Sequence, residues 1–218
     1  MTNINLVTLS DPQSSAAEAY RALRMNLAFA SVDKMLQVVV VSSSAPEETK
    51  SLVAANLAVV LAQSERRVAL IDADLRRPHL HQIFGIPQEP GVTTVILDQA
   101  EGSTLPLVKT AVPGLSVLPC GALPPNPADI LASQKMEKLL ARIKAENDVV
   151  ILDAPPVTVA VDATALGVRS DGLLLVVRAG HSRRDHIAQA KEMLERSHVR
   201  LLGAIFTDAP EGGLLTGY

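Results

Sequence analysis

Four short, unbroken aliphatic runs most tightly constrain what this chain can fold into: Val38–Val41, Val68–Ile71, Val149–Leu152 and Leu173–Val177. Apolar at every position, such runs suit strands covered on both faces, the usual state in parallel sheets. They predict strands over Gln37–Ser42, Val68–Asp72, Asp148–Asp153 and Gly172–Val177. Leu115–Leu118 reads as a shorter strand, and Leu201–Thr207 closes the sheet. Between the strands lie helical patterns: residues 11–30, with Leu23, Leu27 and Ala30 on one stripe; Ser51–Gln63; and Arg183–Ser197. Another begins at Ser133 and carries Met136, Leu139, Leu140 and Ile143 at amphipathic spacing. Gly91–Leu97 reads as a helical turn, and Asn126 with Pro127 as an N-cap followed by a first-turn proline.

Strand and helix in alternation mean parallel pairing through right-handed crossovers. The expected fold is α/β: a parallel twisted sheet flanked by helices, in one domain over residues 1–218. Residues 209–218 form a glycine-rich tail expected to be mobile. Apolar residues make up 48% of the chain, enough for a sizeable core. A net charge of −3, with no basic block, and 2% aromatics exclude nucleic acid as a partner. The lone Cys120 can form no intrachain disulfide and reads as a small apolar residue. No run approaches the ~18 apolar residues of a membrane span, so direct membrane insertion is not expected and the chain reads as cytoplasmic.

Ligands of open α/β sheets lie beyond the carboxyl ends of the strands. Three such ends carry chemistry. After the first strand come Ala45, Pro46, Glu47, Glu48, Thr49, Lys50 and Ser51, then a helix. Lys50-Ser51 stands where a Walker A motif places a lysine for the β/γ-phosphates and a hydroxyl for Mg²⁺, and the helix start supplies amide donors. After the second strand come Asp72 and Asp74, two apart and so able to point the same way. Such carboxylates hold Mg²⁺ through its waters or act as a base. The third strand ends on Asp153, the Walker B pattern. Each signal has a plain alternative: a loop pair, a solvated acidic turn, a helix cap.

Their combination is specific. Ala69–Pro78 (ALIDADLRRP), Val150–Pro156 (VILDAPP), Leu118–Pro127 (LPCGALPPNP) and the Glu-x-x-Arg-x-x-Arg of Glu18, Arg21 and Arg24 resemble the bacterial tyrosine kinases of capsule and exopolysaccharide export. The resemblance runs from about residue 14 to residue 208 and implies a P-loop NTPase fold of the deviant-Walker, MinD/ParA-like group. It further implies ATP/ADP and Mg²⁺ as cofactors, with Lys50 on phosphate, Ser51, Asp74 and Asp153 at the metal, and Asp72 as candidate base. Thr207 falls at the adenine position. Glu18, Arg21 and Arg24, in an oligomerisation helix, imply a ring-shaped homo-oligomer; as residues alone they read as a charged helix stripe. A transmembrane activator of the polysaccharide co-polymerase type is the implied partner, which would hold the protein at the inner face of the membrane.

Three departures accompany the likeness. The family has glycines at Glu47 and Thr49, where the backbone wraps phosphate, often at positive φ. It usually has asparagine at Thr207, and a hydroxyl cannot make an amide's paired contact with a base. Its self-phosphorylated tail is tyrosine-rich, whereas Tyr20 and Tyr218 are the only tyrosines here. Tyr20 falls in the first helix, which leaves Tyr218 as phosphoacceptor. The readings are therefore an ATP-dependent tyrosine kinase, a catalytically weakened scaffold of the same machinery, and a MinD/ParA-like ATPase. The last is disfavoured by Ala45, where that group carries its signature lysine.

Overall fold

The computed structural model describes residues 6–30, 35–46, 49–97 and 104–209. The sites expected at Glu47, Glu48 and Tyr218, and the tail from residue 210, lie outside them. Seven strands form one sheet: β1 (Val38–Ser43), β2 (Val68–Asp72), β3 (Val108–Lys109), β4 (Leu115–Leu118), β5 (Val149–Asp153), β6 (Gly172–Arg178) and β7 (Leu201–Thr207). Their order is β3-β4-β2-β5-β1-β6-β7. Every neighbouring pair is parallel except β3 with β4, which is antiparallel. That edge pair is a departure from the all-parallel expectation. The helices are α1 (Val7–Ser10), α2 (Ser15–Phe29), α3 (Lys50–Ala62), α4 (Leu80–Phe84), α5 (Val92–Leu97), α6 (Pro127–Leu131), α7 (Gln134–Glu146), α8 (Asp162–Gly167) and α9 (Arg184–Arg196).

The strands alternate their side chains between two cores. Val38, Val40, Ile71 and Leu152 face one side with Met136, Leu139, Leu140 and Ile143 of α7 and Leu194 of α9. Val39, Val41, Leu70 and Ile151 face the other, under α3. Both faces are covered, which is why the central strands contain almost no polar residue. Ser14 and Ser133 cap α2 and α7, accepting from the amides of Ala17 and Met136 at 3.2 Å each. Asn126 precedes Pro127 as expected, but its side chain makes no capping bond. Ala30, expected on the α2 stripe, ends that helix and is exposed. Among the described residues no helix is long and apolar enough to cross a membrane.

Register matters most for function. Asp72 of β2 pairs with Asp153 of β5, and Val41 of β1 pairs with the same Asp153 from the other side. β2 and β5 therefore finish level, and β1 runs two residues further, to Ser43, toward the start of α3.

Candidate functional site

The turn from β1 to α3 is pinned by hydroxyls. Ser42 donates to the Pro155 carbonyl at 2.7 Å, Ser43 to that of Ala45 at 2.8 Å, and Thr158 to that of Ser44 at 2.6 Å. Thr49, the residue before α3, lies in the left-handed region at φ 58°, ψ 21°. A β-branched residue there is a genuine outlier. The positive φ expected of this turn is thus present at a residue poorly made for it. The Thr49 hydroxyl donates to that of Thr207 at 3.4 Å, which brings the end of β7 against the turn.

Lys50 opens α3 and folds back over the strand ends. Its Nζ is 2.8 Å from Asp74 Oδ2, 3.0 Å from Asp153 Oδ1 and 3.4 Å from the Ser51 hydroxyl. Burial alone would push the ammonium toward losing its proton. The charges and hydrogen bonds of Asp153 and Asp74 outweigh burial and raise its pKa to about 12. Asp153 is fully buried, and that burial holds its pKa above the usual carboxylate range against the pull of Lys50 and Ser51. Asp72 is raised well above that range, first by burial and then by the Asp153 charge.

Asp72 and Asp74 do not point the same way. Asp72 Oδ2 accepts from the amides of His79 and Leu80 at 3.1 and 2.9 Å, so it secures the start of α4. Asp74 sits beyond the strand and turns to Lys50. Its other oxygen accepts from the amides of Arg76 and Arg77 at 3.2 and 2.9 Å, which shapes the loop. The strict two-residue alternation holds only within a strand, and β2 ends at Asp72.

Two carboxylate oxygens, Asp72 Oδ1 and Asp153 Oδ2, are buried without a hydrogen-bond partner. Such oxygens suit a hard cation and its waters, so the donor set fits Mg²⁺. Among the described residues no three acidic, histidine or cysteine side chains converge to cage an ion. Mg²⁺ needs no such cage, because it keeps waters and shares substrate phosphates.

Beside this cluster opens a cleft of about 580 Å³. Lys50, Ser51, Asp74, Arg76, Arg77 and His79 supply its polar wall, and Leu52, Ile83, Pro156 and Val159 its apolar one. Pro46 and Thr49 line it too, whereas Asp72 and Thr207 do not. Arg76 grips the buried Asp162 at the start of α8 through Nε and Nη2, at 2.8 and 3.1 Å. Sequence reasoning missed that pair, since nothing in the pattern marks Asp162 as the counter-ion of an arginine so far away.

On α2, Arg21 Nε is 2.7 Å from Glu18, and its Nη2 donates to the Pro12 carbonyl at 2.7 Å. Arg24 differs: its Nε is buried and has no hydrogen-bond partner. Tyr20 packs on the α3 side of the core, and burial raises its phenol to about 12. Cys120 is buried in the opposite core.

Comparison with known proteins places this architecture. The ParA family, described as NUBPL iron-transfer P-loop NTPase, matches residues 34–207. Tyrosine-protein kinase YwqD of Bacillus subtilis (strain 168) is 41% identical over 206 residues, covering 92% of this chain and 84% of that protein. Tyrosine-protein kinase etk of Escherichia coli (strain K12) is 33% identical over 203 residues, 93% of this chain but only 28% of that much longer protein. The solved kinase domain of Escherichia coli ETK superposes with a TM-score of 0.87 at 31% identity, covering all of this chain and 85% of that one. The chain belongs to the bacterial tyrosine kinases, within the ParA-like P-loop NTPases.

Proposed function

We propose that this chain is an ATP-dependent protein-tyrosine kinase domain that regulates capsular or exopolysaccharide synthesis and export. The observation that carries the reading is the Lys50 ammonium held between Asp74 and Asp153 at the level ends of β2 and β5, on the wall of the cleft. One buried cation faces three carboxylates there. A nucleotide offers Lys50 phosphate oxygens in exchange, and this frees Asp74 and Asp153 to bind water.

In this reading Lys50 and the turn Ala45–Thr49 hold the phosphates, and Ser51, Asp74 and Asp153 hold Mg²⁺. When bound, Mg²⁺ neutralises charge on the transferring phosphoryl group. The tyrosine oxygen forms a bond to the γ-phosphorus, the bond to the β-phosphate oxygen breaks, and the phenolic proton leaves. Asp72 is the candidate base, because its raised proton affinity and bare Oδ1 suit a proton acceptor. It is fully buried and does not line the cleft, so the proton reaches it only through a rearrangement of the site. Thr207, beside Thr49, faces the base end of the nucleotide. Tyr218 is the phosphoacceptor, and Glu18, Arg21 and Arg24 form the contact between copies in a ring. The domain works in the cytoplasm and meets the membrane through a transmembrane activator of the polysaccharide co-polymerase type.

A second reading has one observation in its favour. Thr49 occupies a left-handed position of the phosphate turn with a branched side chain, which favours a scaffold that has kept the kinase fold and lost affinity for nucleotide. Thermal melting with Mg·ATP separates the two. Ligand at 100 times its Kd adds about 2.7 kcal/mol, or roughly 5–11 °C for a domain of this size. The kinase reading expects that shift, its loss in Lys50→Ala, and phosphotyrosine by mass spectrometry. No shift at millimolar nucleotide leaves the scaffold.

A further inference from the structure

Two loops carry the carboxylates around Lys50, and the pair Arg76–Asp162 ties them together. One loop follows β2 and carries Asp74 and Arg76. The other runs from Asp153, the last residue of β5, to Asp162, the first of α8. This second loop is pinned to the end of β1: the Val157 amide donates to the Ser43 carbonyl at 2.9 Å, and the Thr158 hydroxyl to that of Ser44 at 2.6 Å. Asp162 is fully buried and lies outside the cleft, whereas Arg76 lines it with 40% of its side chain exposed. The guanidinium reaches Asp162 with two donors, Nε at 2.8 Å and Nη2 at 3.1 Å. Such a fork sets orientation as well as distance. A buried ion pair is a weak source of stability, because desolvation cancels much of its attraction. Its effect on geometry is plainer. The amides of Arg76 and Arg77 both donate to Asp74 Oδ1, while Asp74 Oδ2 faces Lys50 at 2.8 Å. Lys50 in turn reaches Asp153 at 3.0 Å, so the contacts run in a circuit from Asp162 through Arg76, Asp74 and Lys50 to Asp153.

We propose that Arg76 and Asp162 are positioning residues for the phosphoryl-transfer site. The inference rests on the reading of Asp74 as a Mg²⁺ ligand given above. Asp162 is the fixed post, Arg76 the strut and Asp74 the group that is held. Because two amides keep Oδ1, Oδ2 can give up Lys50 while the carboxylate stays in place. Leu75, between Asp74 and Arg76 in the chain, is buried and anchors the loop in the core, but an apolar contact does not orient a carboxylate. Neither Arg76 nor Asp162 needs to touch nucleotide for this role. Removing a residue that orients a metal ligand commonly costs about 10–100-fold in metal affinity.

Amide hydrogen exchange in the ligand-free full chain reads the clamp directly. Asp162→Asn keeps the shape of the side chain and removes its charge. The Arg76 and Arg77 amides should then exchange at least about tenfold faster, while amides of α3 and β5 keep their protection. Calorimetry with Mg·ADP gives the second readout: the variant should need about 10–100-fold more Mg²⁺ for half-saturation, with nucleotide affinity at saturating Mg²⁺ little changed. Arg76→Lys keeps the positive charge but loses the fork, so it should show both effects and decides the matter if Asp162→Asn does not fold. Arg67→Gln breaks the exposed pair with Asp148 at the other ends of β2 and β5 and should show neither. Unchanged exchange at Arg76 and Arg77, or an unchanged Mg²⁺ requirement, would overturn the proposal. So would loss of phosphoryl transfer at saturating Mg²⁺ in Arg76→Lys but not in Asp162→Asn, since Arg76 would then act on the substrate itself. A parent chain that binds no Mg·ADP would sink the kinase reading instead, and exchange alone would decide the clamp.

Discussion

Helices α3 and α2 pack on the same side of the sheet, yet they stand in opposite relation to solvent. In α3 every residue except Leu52 is buried. It is apolar all round, as a helix enclosed by other elements must be. In α2 only Ala17 is buried. Tyr20, Leu23 and Leu27 pack inward on the core that contains α3, and the outer face carries Glu18 and Arg21. A helix locked by close packing delivers its first turn to a fixed place, and Lys50 and Ser51 stand in that turn. The outer helix fixes nothing at the cleft. What it offers is surface, so its charged residues are open to a partner in a way that Lys50 is not.

The contrast is tested most severely at Lys50. Lys50→Ala removes the cation that faces Asp74 and Asp153 in a buried cluster. Breaking a buried ion pair from one side costs about 3–5 kcal/mol. The loss should show as a lower urea midpoint with unchanged slope. It should also depend on pH. Asp72 and Asp153 already have folded-state pKa values raised by burial. A raised carboxyl contributes stability that is full below its unfolded value and is lost as pH rises through its folded value. Without Lys50 both carboxyls bind protons more tightly still, so the deficit should shrink on moving from neutral to mildly acidic solution. A deficit below about 1 kcal/mol at neutral pH, or one that grows on acidification, would show that the cluster is not charged as described.

Thr49 comes next in size and sharpens the contrast, because it stands where the rigid helix meets the turn. A left-handed conformation costs a non-glycine residue roughly 1–2 kcal/mol. Glycine returns roughly 0.5–1 kcal/mol of this through its greater freedom when unfolded. Thr49→Gly should therefore stabilise the domain by up to about 1.5 kcal/mol. It also removes a Cβ from the phosphate turn, so the thermal shift with Mg·ATP should grow, and more so when combined with Glu47→Gly. A lower melting temperature together with an unchanged nucleotide response would show that the turn is adapted to threonine.

How far the sequence is legible follows the same division. The strands are readable because residues enclosed on both faces must be apolar at every position, as Val38–Val41 are. Lys50, Asp74 and Asp153 are readable because they end such strands, and their mutual contact is what that placement implies. Asp72 is found but its direction is not, since hydrogen bonds from α4 decide it, and a five-residue helix leaves no periodic trace. Asp162 is invisible because an ion pair joining distant loops has no local pattern. Arg24 looks like its neighbour Arg21, and only the fold separates an arginine whose Nε is buried from one that pairs with Glu18.

The smallest expected effect on stability comes from Arg21→Glu, on the open helix. Arg21 pairs with Glu18 at 2.7 Å, and their side chains are 35% and 68% exposed. Such a pair contributes about 0.2–0.5 kcal/mol, and a like-charge pair costs about as much. The bond to the Pro12 carbonyl also goes, but its donor and acceptor regain water. The melting temperature of the variant should therefore move by only a few degrees. Association is another matter. If the outer face of α2 joins copies of the chain, reversing one charge places like charges across each repeated contact, and light scattering should show assembly in the parent protein and monomers in the variant. A parent that stays monomeric at high concentration would remove α2 as an assembly surface. A variant that loses several kcal/mol would mean that α2 is bound into the core as α3 is, and the division between a helix that positions and a helix that presents would fail.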